Sequence, residues 1–166
     1  MPDPEGAILA FDYGMRFIGV AWGERRSRVC RPLVSLECRT RAQRWESIHA
    51  LIREWTPKSL LVGLALNSEG QEQTTTRQCR NFARDLHRHT HLPVALIDER
   101  YTSLEADQQL QTAGVARAQR RSMEHALAAT LLLEDYFGLS MEQQSALCSS
   151  ERTDFFITLA VEVTDV

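Results

Sequence analysis

Two apolar segments of this chain run straight into acid: Ala7-Ile8-Leu9-Ala10-Phe11 ends at Asp12, and Leu92-Pro93-Val94-Ala95-Leu96-Ile97 ends at Asp98-Glu99. A strand that is apolar on both faces has to be covered on both faces. An aspartate at the end of such a strand is costly to desolvate unless a cation or hydrogen-bond donors compensate it. For clustered carboxylates the simplest compensation is a divalent metal. Metal-assisted phosphoryl chemistry is therefore the first expectation.

The order of the remaining elements fixes the fold class. Arg16 to Trp22 follows the first strand after a Tyr13-Gly14-Met15 turn and reads as the return arm of a hairpin, with a third strand from Val29 to Leu36. Thr40-Arg41-Ala42-Gln43 is a capping-box signature, and Trp45, Ile48, Ile52 and Trp55 follow at helical spacing until Pro57. Ser59 to Leu64 is a buried strand, Asn67 to Gly70 a loop, and Phe82, Ala83 and Leu86 mark a second helix from about Thr74 to His89. After the strand ending at Asp98-Glu99, a capping box at Thr102-Ser103-Leu104-Glu105 opens a helix that Gly114 ends. Arg117, Arg120 and Arg121 read as a basic connector before a mostly apolar helix from Met123 to Phe137. A hairpin meander followed by alternating units predicts an α/β fold, a mixed five-stranded sheet with helices on both faces.

Composition narrows the setting. At 166 residues and 43% hydrophobic the chain suits one globular domain with a real core. Cys30, Cys38, Cys79 and Cys148 show neither disulfide nor zinc spacing, so they are expected as free thiols of a cytoplasmic protein. No leader pattern and no membrane-length apolar run is expected. Net charge is −3, but from Glu134 onward seven acids stand against Arg152 alone, a balance of −6 that leaves the first 133 residues at +3. Lys58 is the only lysine, and the arginine fork suits bidentate phosphate contacts.

Several motifs, in order, closely resemble the YqgF (RuvX) family: Asp12-Tyr13-Gly14, Arg16, Ile18-Gly19-Val20-Ala21, Val62-Gly63-Leu64, Leu66-Asn67 with Gly70, Asp98-Glu99-Arg100-Tyr101-Thr102, and Ala128-Ala129 with Leu131-Leu132-Leu133. The resemblance covers about residues 7–137. It implies a ribonuclease H-like fold, likeness to Holliday-junction resolvases, and nuclease activity at the 5′ end of pre-16S ribosomal RNA.

The chemistry also follows from the residues. Phosphodiester hydrolysis needs an activated water and stabilised charge on the non-bridging and leaving oxygens, which two metals supply. Mg²⁺ or Mn²⁺ take carboxylate oxygens and retain waters. Asp12 is the natural bridging ligand, and Glu99, on a strand expected beside the first, is the second. Asp98 points the other way if the strand alternates, and is either a reserve ligand or the orienter of Arg100. Gly14 suits a positive φ in a tight turn, and Gly19 lets another backbone approach. Arg16, Asn67, Arg100, Thr102, Arg117, Arg120 and Arg121 are candidate contacts to a nucleic-acid backbone.

The chain departs from the family at the last helix. The family pattern carries an Asp three residues before the paired alanines, and here His125 stands there, with Glu124 just before it. Imidazole prefers softer ions than Mg²⁺, so Mn²⁺ gains weight. His125 completes the site, or Glu124 does, or the site is impaired and the protein only binds nucleic acid. The substrate is expected to be pre-rRNA or branched DNA, and an actin-like ATPase is the rival on the strength of Asp12-Tyr13-Gly14 alone. Residues 138–166 form an acidic extension outside the resemblance. Its alternating Phe155 to Val163 suits a strand that pairs with the core, forms a homodimer or stays loose.

Overall fold

A computed structural model describes residues 6–65, 69, 71, 73–98, 108–109, 111–114 and 117–147. Five strands, β1 (Ala7–Tyr13), β2 (Phe17–Glu24), β3 (Val29–Glu37), β4 (Ser59–Leu64) and β5 (Val94–Asp98), form one sheet in the order β3-β2-β1-β4-β5. The β1–β2 and β2–β3 pairs are antiparallel, whereas β4 joins β1, and β5 joins β4, in parallel. The described helices are α1 (Arg41–Trp55), α2 (Thr74–Thr90), α3 (Arg117–Gly138) and the short α4 (Met141–Leu147).

Period-two alternation divides the side chains of β1, β4 and β5 between two cores. Leu9, Phe11, Val62 and Leu96 pack with Trp45 and Ile48 of α1 and Phe82 and Leu86 of α2. Ile8, Ala10, Leu61, Ala95 and Ile97 pack with Ala129, Leu132 and Tyr136 of α3 and with Leu147 of α4. The mixed sheet with helices on both faces is thus present as expected. Local signals hold as well: Thr40 Oγ1 accepts from the Gln43 N–H at 3.1 Å, and Thr56 ends α1 in the left-handed region at φ 43°.

Three expectations need correction. The strand carrying Asp98 is not beside β1, because β2 fills one edge of β1 and β4 the other. That puts β5 two strand spacings away, roughly 9–10 Å. The arginine connector is helical: α3 begins at Arg117, since no glycine or proline interrupts the run from there to Gly138. Gly14 does not have a positive φ; it is needed because a Cβ there would lie 2.7 Å from the Phe17 carbonyl oxygen. Of the segment after residue 138, whose structure the sequence left open, Gln144 and Leu147 are buried. The strand suggested for Phe155 to Val163 and the capping box at Thr102 lie outside the described residues. Gly114, at φ +73°, does close a helical stretch as predicted.

Candidate active site

The site is built where β1 ends under α3. Asp12 shares the parity of Ile8 and Ala10, so its side chain faces α3, and only 6% of the residue is exposed. Its antiparallel partner on β2 is Gly19, and Gly19 is paired in turn with Ser35 on β3. A Cβ on Gly19 would fall 1.9 Å from the His125 carbonyl oxygen and 2.7 Å from the Ala126 nitrogen. The helix backbone therefore rests directly on the strand, the close approach that the glycine predicted. Ser35 fixes the contact from the far side, its Oγ accepting the Ala126 N–H at 3.2 Å.

This seating brings His125 to Asp12. His125 Nδ1 lies 3.7 Å from Asp12 Oδ2, and the imidazole stacks on Phe17 with ring centroids 5.4 Å apart and planes 15° from parallel. The Arg16 guanidinium also lies over the Phe17 ring. The Asp12 carboxylate holds the His125 imidazole above the usual histidine range; burial opposes it, and the charge of Glu124 adds to it. Glu124 is half-buried beside His125, about 100° around the helix.

These residues fit a divalent cation in the chemistry of their donors. A buried carboxylate and an imidazole 3.7 Å apart are close enough to share one ion, because two donors each about 2.1 Å from an ion are at most about 4 Å apart. Among the described residues no third His, Cys, Asp or Glu completes a cluster with them. Glu99, the expected second carboxylate, lies outside the described residues, as do Asn67, Arg100 and Thr102. Asp98 shares the parity of Val94 and Leu96, which face α1 and α2, so it stands on the opposite side of the sheet from Asp12. Arg16 is exposed in the β1–β2 turn, 3.7 Å from Glu37. Arg117, Arg120 and Arg121 lie in the first turns of α3.

Phe17 and Ser35 were not singled out from sequence. A signal for the helix seat was present in the small residues at alternate positions of β2, Gly19, Ala21 and Gly23. Gly23 repeats the pattern at the far end, where a Cβ would meet the Phe137 and Leu133 side chains at 2.9 and 3.0 Å.

A family model described as "RuvX: Holliday junction resolvase" matches residues 6–138. This chain belongs to the RuvX family. It is similar to proteins named "Putative pre-16S rRNA nuclease" from Nitrosomonas europaea, at 43% identity over 84% of this chain and 97% of that protein, and from Paraburkholderia phymatum, at 42% over 85% and 91%. A third of that name, from Bordetella pertussis, is 41% identical over 80% of this chain and 94% of its own length. Among solved structures, "T. thermophilus RuvC in complex with Holliday junction substrate" superposes with a TM-score of 0.50 at 14% identity, covering 87% of this chain and 99% of that one. The likeness shows that this RuvX-family chain has a ribonuclease H-like fold. Among the described residues no helix is long and apolar enough to cross a membrane.

Proposed function

We propose that this RuvX-family nuclease hydrolyses phosphodiester bonds of structured RNA with divalent metal held at Asp12, and that its substrate is the 5′ end of pre-16S ribosomal RNA. The observation that carries the reading is the buried Asp12 carboxylate facing His125 across Gly19 at the end of the central strand. The names of the full-length relatives supply the substrate.

Asp12 and Glu99 would hold Mg²⁺ or Mn²⁺, with His125 or Glu124 completing the set. When bound, the metal activates the attacking water and stabilises the leaving oxygen. Asp12 needs no reorganisation to take part, because β1 is fixed on both sides by β2 and β4. Stacking on Phe17 orients His125, whose ring nitrogen serves as a ligand only in the neutral form. Asp98, on the other face, takes no ligand role. Arg16, Asn67, Arg100 and Thr102, with Arg117, Arg120 and Arg121 of α3, hold the phosphate backbone around the cut.

Asp12→Asn should abolish Mn²⁺-dependent trimming of a 5′-extended 16S rRNA fragment while the circular dichroism spectrum and melting curve stay those of a folded protein. Undiminished trimming by that variant would refute the mechanism. A second reading has one observation behind it: an imidazole, not a carboxylate, faces Asp12, which leaves one anionic ligand fewer for Mg²⁺. On that reading the protein binds RNA and cuts poorly. RNA binding with no cleavage in either metal would establish it.

A further inference from the structure

Helix α2 carries four arginines and a single acid. Arg77, Arg80, Arg84 and Arg88 recur at spacings of three, four and four residues, which places them along one side of the helix, and Asp85 is the only carboxylate in the element. Arg77, Arg84 and Arg88 are exposed and Arg80 is half-buried, while the opposite side buries Cys79, Phe82, Ala83 and Leu86 in the core. Asp85 is already shared, lying 3.7 Å from Arg41 of α1 and 3.8 Å from Arg88.

This arrangement works against the helix that bears it. Arg77 sits in the first turn, where the positive end of the helix dipole disfavours a cation, whereas Arg88 lies in the last turn, where a cation is favoured. Arg80 with Arg84, and Arg84 with Arg88, are like charges at i,i+4, each destabilising by a few tenths of a kcal/mol. A face that serves only solubility mixes both signs. A row of guanidiniums along one side of a helix suits an anion with regularly repeated charge, and the arginine fork suits phosphate.

The row also leads to the candidate active site. Helix α2 starts at the C-terminal end of β4, where Thr76 Oγ1 donates to the Ala65 carbonyl, and Gln78 Nε2 approaches Met15 Sδ at 3.2 Å. Met15 is in the β1–β2 turn, three residues after Asp12. From Arg77 to Arg88 the row extends about 16 Å away from that end.

We propose that the α2 arginine row is a second phosphate track, on the face of the sheet opposite α3, which binds the nucleic-acid backbone flanking the cut. It rests on the nucleic-acid substrate argued above, but not on the metal chemistry. The track adds affinity and positions a longer substrate without touching the reacting phosphate.

The test is binding without cleavage. A fluorescent RNA hairpin with a stem of roughly 20 base pairs is titrated in EDTA at several KCl concentrations with the full chain and with two triple variants. R77Q/R84Q/R88Q removes the row, and R26Q/R28Q/R53Q removes the same charge from exposed positions at the opposite end of the sheet. The α2 variant should lose at least tenfold in affinity at 0.1 M KCl. Its dependence of log K on log[KCl] should flatten by about 2.7, as for three lost phosphate contacts on a duplex. Its melting temperature should not fall, and the control variant should stay within about twofold of the parent. Equal losses in the two variants would reduce the effect to bulk charge and overturn the track, as would an α2 variant with the parental affinity and slope. Cleavage that fails in Mn²⁺ while these binding differences persist would count against the nuclease mechanism and leave the track standing.

Discussion

At the scale of single residues, the account turns on Asp12 and His125. Asp12 is held under α3, and the Asp12 carboxylate raises the imidazole's pKa above its ordinary 6.5. A folded-state pKa above the unfolded one contributes stability that is complete below pH 6.5 and is lost as pH rises through the folded value. Metal-free protein should therefore melt at a lower temperature at pH 8.5 than at pH 6, and His125→Asn should flatten that difference in a melting series in EDTA. Metal binding has the opposite sign, because the imidazole proton must leave. Mn²⁺ affinity measured by calorimetry should rise from pH 6 to pH 8, and a falling affinity would remove His125 from the ligand set. His125→Asp should increase Mg²⁺-supported cleavage by an order of magnitude or more; unchanged rates would point to Glu124 or to a site without a third ligand. Cys30 is a separate residue-scale case. Burial, with the nearby Glu134 charge, pushes its thiol up to about 11, so it should react slowly with iodoacetamide at pH 8 in the folded protein.

At the scale of elements, the site exists because α3 lies flat on β2. Gly19→Ala would drive a methyl group into the His125 carbonyl, and backbone cannot move aside as a flexible side chain can. The variant should lose about 3 kcal/mol in urea unfolding and most of its cleavage, because any shift that relieves the clash carries His125 away from Asp12. Ser35→Ala should cost less, about 1 kcal/mol, by removing one hydrogen bond to Ala126. Much of this layer was legible in sequence. Strand alternation, the Thr40 cap, the helix spacing of Phe82, Ala83 and Leu86, and the glycine opposite Asp12 are local signals, and each is present in the fold. The stack of Phe17 on His125 was not legible, because it joins residues 108 positions apart through the crossing of a helix and a strand. The start of α3 was missed for a different reason. Arginines read as a solvated connector by charge are also good helix formers, and nothing after them breaks the helix.

At the scale of the whole molecule, strand order is the property that local pattern left open. The apolar runs identified two doubly covered strands, but only the sheet shows that β1 is central, that β5 lies at the edge of the described sheet, and that β4 lies between them. The family boundary near residue 138 is likewise not the end of the packed structure. Buried Arg25 donates to Gln144 Oε1 at 2.5 Å and to the Tyr136 hydroxyl at 3.1 Å, and Leu147 closes the core beneath α4. A chain cut after Gly138 should lose about 3 kcal/mol or more in urea unfolding, from exposed apolar surface and a buried guanidinium left short of partners. A truncated chain as stable as the parent would show that α4 is peripheral. We propose that Asp12 gathers catalytic metal with Glu99, the set completed by His125 or Glu124. Crystals soaked in Mn²⁺ and measured at a wavelength where manganese scatters anomalously should show an ion bonded to Asp12, with oxygen of Glu99 and either nitrogen of His125 or oxygen of Glu124 at about 2.0–2.3 Å from the bound metal. Saturating Mn²⁺ that leaves Asp12 without an ion, its carboxylate still paired to His125, would contradict the account.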